Sequence, residues 1–444
     1  MMKIVFVVLF FNFMMLWNKM LMFYYNMCYL ISFMILFMYM YKDCLWSNLS
    51  IVFGLEYYSI FLVMLSFWII SLMMMCLSLD EGSVMMKLFF FINLLIILEL
   101  FFMSMNLILF YFFYEVSLIP TFFLIIYWGS NMERLSASYY LMMYMLIISF
   151  PLLVYLVDMY YYSMTFVFSL MSMYLGGYLF SFGSYMMIFG SFFIKMPMYL
   201  FHIWLPKAHV EAPVYGSMIL AGVLLKMGSY GLLRLLVLFM DMSLKYNYLI
   251  LSLGLLGSLI SGILCLVQID MKSLVAYSSV VHMNLMLCSF MTMFKLSFVG
   301  GYIMMISHGL CSSGLFYMVN LFYYRTSSRL LIFNKGMMVN LPSLMIWWFL
   351  LCAANFSFPL SLNFISEMLM LMVLLNWDLM LIMSLMLICF FSSAYSLYLY
   401  SYIQHGWKSF NNLVYNFGTM KEFIVLIMHF YPLIMYLFNL VMFM

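Results

Sequence analysis

Seven ionisable side chains, Glu99, Glu115, Lys195, Lys226, His282, His308 and Glu367, stand inside long apolar runs of this sequence. Carboxyl, amine and imidazole groups held away from bulk water are suited to carrying protons, because small changes in their surroundings move the proton on or off. Glu115 lies in YFFYEVSLIPT (111–121) and Lys195 in FIKMP (193–197). A carboxylate beside a lysine favours both charged forms, whereas burial disfavours both. A pair near that balance passes a proton when either partner shifts. The alternative is a static ion pair that only ties two helices together. Lys226, in LLKMGSYGLLR (224–234), is followed by Gly228 and Gly231, which allow close helix contact or access by water. Arg234, near the end of that run, reads as a side chain that snorkels to the surface. His282 in YSSVVHM and His308 in SHGLCSSG have hydroxyls nearby in sequence and read as relays, with satisfied core histidines as the alternative. Glu99 has no recognisable context, and His429 reads as structural.

His202, Lys207, His209 and Glu211 cluster in HIWLPKAHVEAP (202–213). Two histidines and a glutamate suggest metal ligands. However, Pro206 and Pro213 make a bent connection, and neither an HExxH motif nor a cysteine partner is present. Proton relay, or structure at a helix break, is the favoured reading. The sequence holds no GxGxxG, no GxxxxGK[ST] and no cysteine cluster. It is therefore not expected to bind NADH, flavin, ATP or an iron–sulfur centre itself. The cysteines, Cys28, Cys44, Cys76, Cys265, Cys288, Cys311, Cys352 and Cys389, form no CxxC pair and read as small core residues.

The elements that must hold these groups follow from composition. The chain has 444 residues, of which 69% are hydrophobic and 7% charged, and its mean hydropathy is +1.16. A soluble domain carries about a quarter of its residues charged, so the solvent here is mostly lipid. Spanning helices need roughly 20 apolar residues. Strands of a barrel alternate apolar and polar, whereas these runs are apolar on every side, so the expected fold is an all-α integral membrane protein. Polar punctuation gives about fourteen spans: 4–17, 21–41, 57–79, 88–105, 107–128, 137–157, 184–204, 213–237, 247–267, 273–293, 297–321, 340–375, 379–402 and 421–441. The stretch 158–183, tyrosine-rich and holding Gly176 and Gly177, reads as a surface or interfacial segment. The stretch 340–375 is too long for one straight helix, and Pro359 should break it.

Charge placement gives an orientation. Loops after odd-numbered spans carry ten basic residues: Lys19, Lys87, Arg134, Lys207, Lys272, Arg325, Arg329, Lys335, Lys408 and Lys421. The N-terminus and the loops after even spans carry four, Lys3, Lys42, Lys245 and Lys295. This bias places the odd loops inside and both termini outside. With a net charge of only +3 and scattered basic residues, no nucleic-acid footprint exists. The 56 Met, 48 Phe and 37 Tyr against few Arg suggest an A+T-rich gene read with an organellar code. A greasy core filled by methionine is the alternative. The apolar N-terminus reads as a retained first helix, because no small-residue cleavage site follows Trp17.

Spans 7 and 12 each pair a proline with an ionisable residue, Pro197 with Lys195 and Pro359 with Glu367. Proline-interrupted spans in two halves of a transporter point to a transport site. YFFYEVSLIPT, NMERLSA (131–137), FIKMPMYLFHIWLPKAHVEAPVYGSM (193–218), LLKMGSYGLLR, QIDMKSLVAYSSVVHM (268–283) and SHGLCSS, in this order, resemble the chain 4 family of mitochondrial NADH–ubiquinone oxidoreductase. These are antiporter-like, proton-translocating subunits of the respiratory complex I membrane arm. The resemblance is strong over 111–316, fair over 85–110 and 317–402, and only compositional elsewhere.

The resemblance implies fourteen helices in two inverted repeats with broken helices 7 and 12. It implies N-terminal helices over 1–87, repeats over 88–237 and 247–402, and a C-terminal helix over 403–444. It places a central line of charges on Glu115, Lys195, Lys226 and Glu367, with histidines at His209, His282 and His308. It implies that NADH, FMN, iron–sulfur clusters and ubiquinone are bound by other subunits, with none of these cofactors in this chain. The implied partners are the sister antiporter-like chains 2 and 5 and membrane lipids such as cardiolipin. The implied location is the mitochondrial inner membrane, with both termini facing the intermembrane space. Redox-driven proton pumping, sodium/proton antiport and an inert scaffold of buried pairs are the three competing functions.

Overall fold

The computed structural model describes residues 2–14, 20–39, 52–77, 83–174, 181–406 and 418–443. Long apolar runs satisfy every backbone group inside lipid only as helices, and the described chain is helical nearly throughout. In order the helices are α1 (Met2–Met14), α2 (Leu21–Tyr39), α3 (Tyr57–Cys76), α4 (Val84–Met103), α5 (Leu107–Val116), α6 (Leu118–Trp128), α7 (Arg134–Ser163), α8 (Phe168–Tyr174), α9 (Phe182–Lys195) and α10 (Trp204–Glu211). They continue with α11 (Val214–Ile219), a π-turn (Leu220–Leu224), α12 (Leu225–Leu238), α13 (Met240–Val267), α14 (Met271–Met291), α15 (Lys295–Thr326), α16 (Met337–Asn340), α17 (Pro342–Asn355), α18 (Leu362–Trp377), α19 (Ile382–Gln404) and α20 (Met420–Phe438). β-Pairing among the described residues is limited to isolated bridges such as Phe53–Ser104 and Asn106–Val167.

Ten of these segments are long and apolar enough to cross a membrane, with α5–α6 and α11–α12 each counted as one. The expected all-α membrane fold is therefore observed. The long 340–375 run is interrupted as expected: α17 stops at Asn355 and α18 starts at Leu362. Pro359 lies between them, where its missing N–H costs no helical bond. Span 7 ends at Lys195 and resumes as α10 after a turn containing Pro197. Both breaks use left-handed backbone at a leucine, Leu200 (φ 86°) and Leu360 (φ 76°), and the second also at Ser357 (φ 62°). Such φ values at residues other than glycine are uncommon and are held in place only by surrounding packing.

The chain forms two compact units. One comprises Met1–Lys195 and Glu211–Tyr246, the other Met196–Val210 and Asn247–Met444. In the first unit α3 packs between α2 and α4, and α9 packs on α7 and α12. In the second unit α15 is central, packing on α14, α17, α18 and α20. Two glycines permit close approach in the first unit. A Cβ on Gly231 would lie 2.3 Å from the Phe192 ring, and one on Gly222 would lie 2.3 Å from Cδ1 of Ile69.

Of the stretch read as interfacial, α7 continues to Ser163 and α8 packs against α12 with Phe168 and Met171 buried. Its Gly176 and Gly177 lie outside the described residues, as do Lys19, Lys42, Cys44 and Lys408. The described cysteines are free thiols.

Candidate functional site

The span holding Glu115 is not one straight helix. Pro120 has no N–H to give the carbonyl four residues back, and its ring crowds that carbonyl. The helix is divided at Ser117 into α5 and α6. Lys195, 1% exposed and the last residue of α9, reaches into this division. Its ammonium donates to the Tyr114 carbonyl and to Ser117 Oγ, each at 3.4 Å, and lies 3.6 Å from the centre of the Tyr114 ring. The negative end of the α9 dipole favours a cation at that position. Glu115 is within electrostatic reach of Lys195, and Ser149 stands beside it. Neither carboxyl oxygen of Glu115 is hydrogen-bonded to the Lys195 ammonium. The two charges thus feel each other without being locked together.

Lys226 is fully buried on the first turn of α12, just past the π-turn Leu220–Leu224. A π-turn displaces the helical hydrogen-bond register, and such turns recur at functional sites. The Lys226 ammonium folds back to donate to the Ala221 carbonyl at 2.5 Å.

Arg234, two turns further along α12, corrects the expectation of a side chain snorkelling to the surface. It is buried and pairs with Glu56 Oε2 at 2.9 Å. It also donates to Tyr230 Oη at 2.9 Å and the Ser104 carbonyl at 3.2 Å, and packs over the Phe168 ring. Its length does not carry it to water because Glu56 and the Ser104 carbonyl hold its guanidinium inside the fold. Glu99, on α4, is fully buried, and neither of its oxygens has a hydrogen-bond partner among the described residues.

In the second unit Glu367 occupies the second turn of α18, just after the helix break. Its Oε1 lies 3.1 Å from Nδ1 of His282 on α14. The other nitrogen of that imidazole, Nε2, is 3.1 Å from the hydroxyl of Tyr395 on α19. His308 on α15 is buried, with its ring centre 5.7 Å from that of His282. His209 on α10 is 1% exposed and stacks on Phe316 at 4.5 Å.

His202 stacks on Tyr199, 5.1 Å between ring centres. The bent connection read from HIWLPKAHVEAP is present as α10 followed by Pro213 at the start of α11. Glu211 accepts from the Asn131 side chain at 3.2 Å, and Lys207 is exposed. Among the described residues no three His, Cys, Asp or Glu side chains come together as metal ligands. His429 bonds the Val425 carbonyl through Nδ1 at 2.8 Å, which is a structural role.

The structure therefore gathers Glu115 with Lys195, and His282 with Glu367 and His308. Sequence reasoning missed Tyr395 and Glu56. Neither stands out in the sequence, since one is among 37 tyrosines and the other lies at the edge of a span.

Helices long and apolar enough to span a membrane, interrupted beside buried charges, define a multi-span membrane protein. Comparison with known proteins narrows the class. Residues 104–393 match the family described as NADH:quinone oxidoreductase/Mrp antiporter, and residues 1–78 match the amino terminus of NADH-ubiquinone oxidoreductase chain 4. The second match extends the likeness to a region where the sequence alone showed only composition. The chain is 43% identical over 416 residues to NADH-ubiquinone oxidoreductase chain 4 of Ceratitis capitata, covering 92% of this chain and 91% of that one. It is 46% identical over 399 residues to the chain 4 protein of Aedes aegypti, covering 87% of each. Its fold is similar to a chain of respiratory complex I from Thermus thermophilus, with TM-score 0.86 and 20% identity over 97% of this chain and 94% of that one. The chain belongs to the NADH-ubiquinone oxidoreductase chain 4 family.

Proposed function

We propose that this chain moves protons along its buried charges, with Glu115, Lys195, Lys226 and Glu367 as the main carriers and His209, His282 and His308 assisting. As a family member it is a proton-translocating membrane subunit of respiratory complex I, assembled with other subunits. It takes part in NADH:quinone reduction without supplying the redox chemistry. NADH, FMN, the iron–sulfur clusters and ubiquinone are assigned to the other subunits, and sister antiporter-like chains 2 and 5 and cardiolipin are the proposed neighbours. The repeats are assigned to 88–237 and 247–402.

One observation carries this reading. Glu115, Lys195, Lys226 and Glu367 each sit next to an interruption of their helix: the α5–α6 division, the two broken spans and the π-turn. Irregular backbone at membrane depth is tolerated only where it is buried in protein or lines a water-filled cavity. There its freed carbonyls can solvate a charge, as those of Tyr114 and Ala221 do. An inert pair needs no such opening at four separate places.

Glu367→Gln tests the carriers in the second unit. The amide keeps the shape but neither takes up nor releases a proton. Proton pumping and coupled quinone reduction should fall roughly tenfold or more in complexes that assemble normally. Normal pumping by assembled Glu367→Gln complex would falsify the role of this residue.

The location follows from the family and from the bias in basic residues. The chain is assigned to the mitochondrial inner membrane with both termini in the intermembrane space. In mitochondria stripped of their outer membrane, added protease should remove an epitope at either terminus and leave epitopes in the odd-numbered loops intact. Protected termini would reverse the orientation.

A further inference from the structure

Tyr395 is fully buried, and its hydroxyl is 3.1 Å from Nε2 of His282. The opposite nitrogen of the same ring, Nδ1, lies 3.1 Å from Glu367 Oε1, within ion-pair distance but outside hydrogen-bond geometry. Helix α14, together with α18 and α19, thus brings an imidazole beside a carboxyl and a phenol. The serines nearest His282 in sequence do not compete for the ring. Ser278 and Ser279 donate to the carbonyls of Val275 and Ala276 at 2.7 and 2.6 Å. The His308 ring, inclined 53° to that of His282, flanks it with 5.7 Å between ring centres. Glu367 and the thiols of Cys265, Cys311 and Cys389 also lie near the Tyr395 hydroxyl.

An imidazole that gives its Nδ1–H to a carboxylate keeps a lone pair on Nε2, and only a donor can satisfy that lone pair. The tyrosine hydroxyl is such a donor. It can also accept, so it remains bonded after Nε2 gains a proton.

Building on the proton-transfer reading of the Glu367–His282 contact, we propose that Tyr395 is a positioning residue for that transfer. Its O–H holds neutral His282 with Nδ1 beside Glu367, and its oxygen accepts Nε2–H once the ring is an imidazolium. In the transfer the Nδ1–H bond breaks and an Oε1–H bond forms. An imidazolium and a carboxylate become a neutral imidazole and a carboxylic acid, so charge and atoms balance. The Nε2–H tautomer left behind is already bonded to Tyr395, and no ring flip is needed before the proton moves on.

Tyr395→Phe in the assembled complex tests this, with coupled quinone reduction and proton pumping measured in H2O and in D2O. The coupled rate should fall about tenfold, since a buried ring nitrogen loses its partner. The amount of assembled complex should not change. The solvent isotope effect should rise, because transfer at His282 becomes the slow step. Tyr395→His returns a donor or acceptor toward Nε2 and should recover part of the rate. It also decides the matter by the same readouts if Tyr395→Phe does not assemble. A parent-like rate, or a loss that tracks assembly with the isotope effect unchanged, overturns the proposal. Glu367→Gln separates the two levels. If that variant pumps normally, the transfer reading itself fails. If it does not pump while Tyr395→Phe behaves as the parent, only the role of Tyr395 falls.

Discussion

Lys195→Met is expected to stop proton pumping while the complex still assembles. Methionine matches the length of the lysine stem and fills the same space, so packing of α9 against α7 and α12 should survive. What is lost is the ammonium that lies in the α5–α6 division against Tyr114 and Ser117. A proton carrier cannot be replaced by a thioether, and removing a positioned acid–base group typically costs about a hundredfold or more. Glu115→Gln should be milder but in the same direction, because the amide keeps the shape of the carboxyl and removes only its charge. Its effect is electrical, since it removes the negative charge that favours the cation on Lys195. The measurement is NADH-driven pumping and quinone reduction per assembled complex, quantified on native gels. Near-normal rates in either variant would leave the pair a helix tie and no more. Loss of assembly in Lys195→Met alone would point to the same conclusion.

The fold was largely legible because lipid enforces one rule. Backbone must be helical wherever apolar residues run for roughly 20 positions. Hydropathy therefore located the spans, and Pro359 located the break between α17 and α18. Buried charge was legible for a related reason: an ionisable residue in an apolar run has few innocent explanations. Partners were not legible. The hydroxyls next to His282 in sequence satisfy their own helix carbonyls, which is the usual fate of serine inside a helix. The actual partners, Glu367 and Tyr395, arrive from α18 and α19 through tertiary packing. Arg234 was misread for the same reason, since its position near the end of a span does not reveal that Glu56 covers it. The π-turn before Lys226 has no proline to announce it. Gly222 within it, pressed against Ile69, is at most a trace of the close packing there.

Lys226 is where proton carriage and helix tying predict most different outcomes. The lysine is fully buried and its ammonium is turned back on the Ala221 carbonyl. Such a group can release its proton when a neighbouring charge changes. Two unit charges ~8 Å apart at an effective dielectric of ~20 interact by ~2 kcal/mol, which changes a protonation equilibrium by roughly thirtyfold. We propose that Lys195, once released by Glu115, supplies that charge and drives the proton off Lys226. Lys226→Arg keeps the charge and the donors, but a guanidinium does not give up its proton in a protein. If Lys226 only holds helices together, arginine should serve nearly as well, and pumping should stay within about twofold of the parent. If Lys226 must release a proton, pumping and coupled quinone reduction should fall by about a hundredfold in assembled complex. Lys226→Met sharpens the comparison, because it removes charge and proton together. A carrier makes both variants inactive, whereas a tie is broken by methionine and preserved by arginine. Pumping at the parent rate in Lys226→Arg would eliminate this residue as an obligatory carrier and leave the relay to a route that bypasses α12.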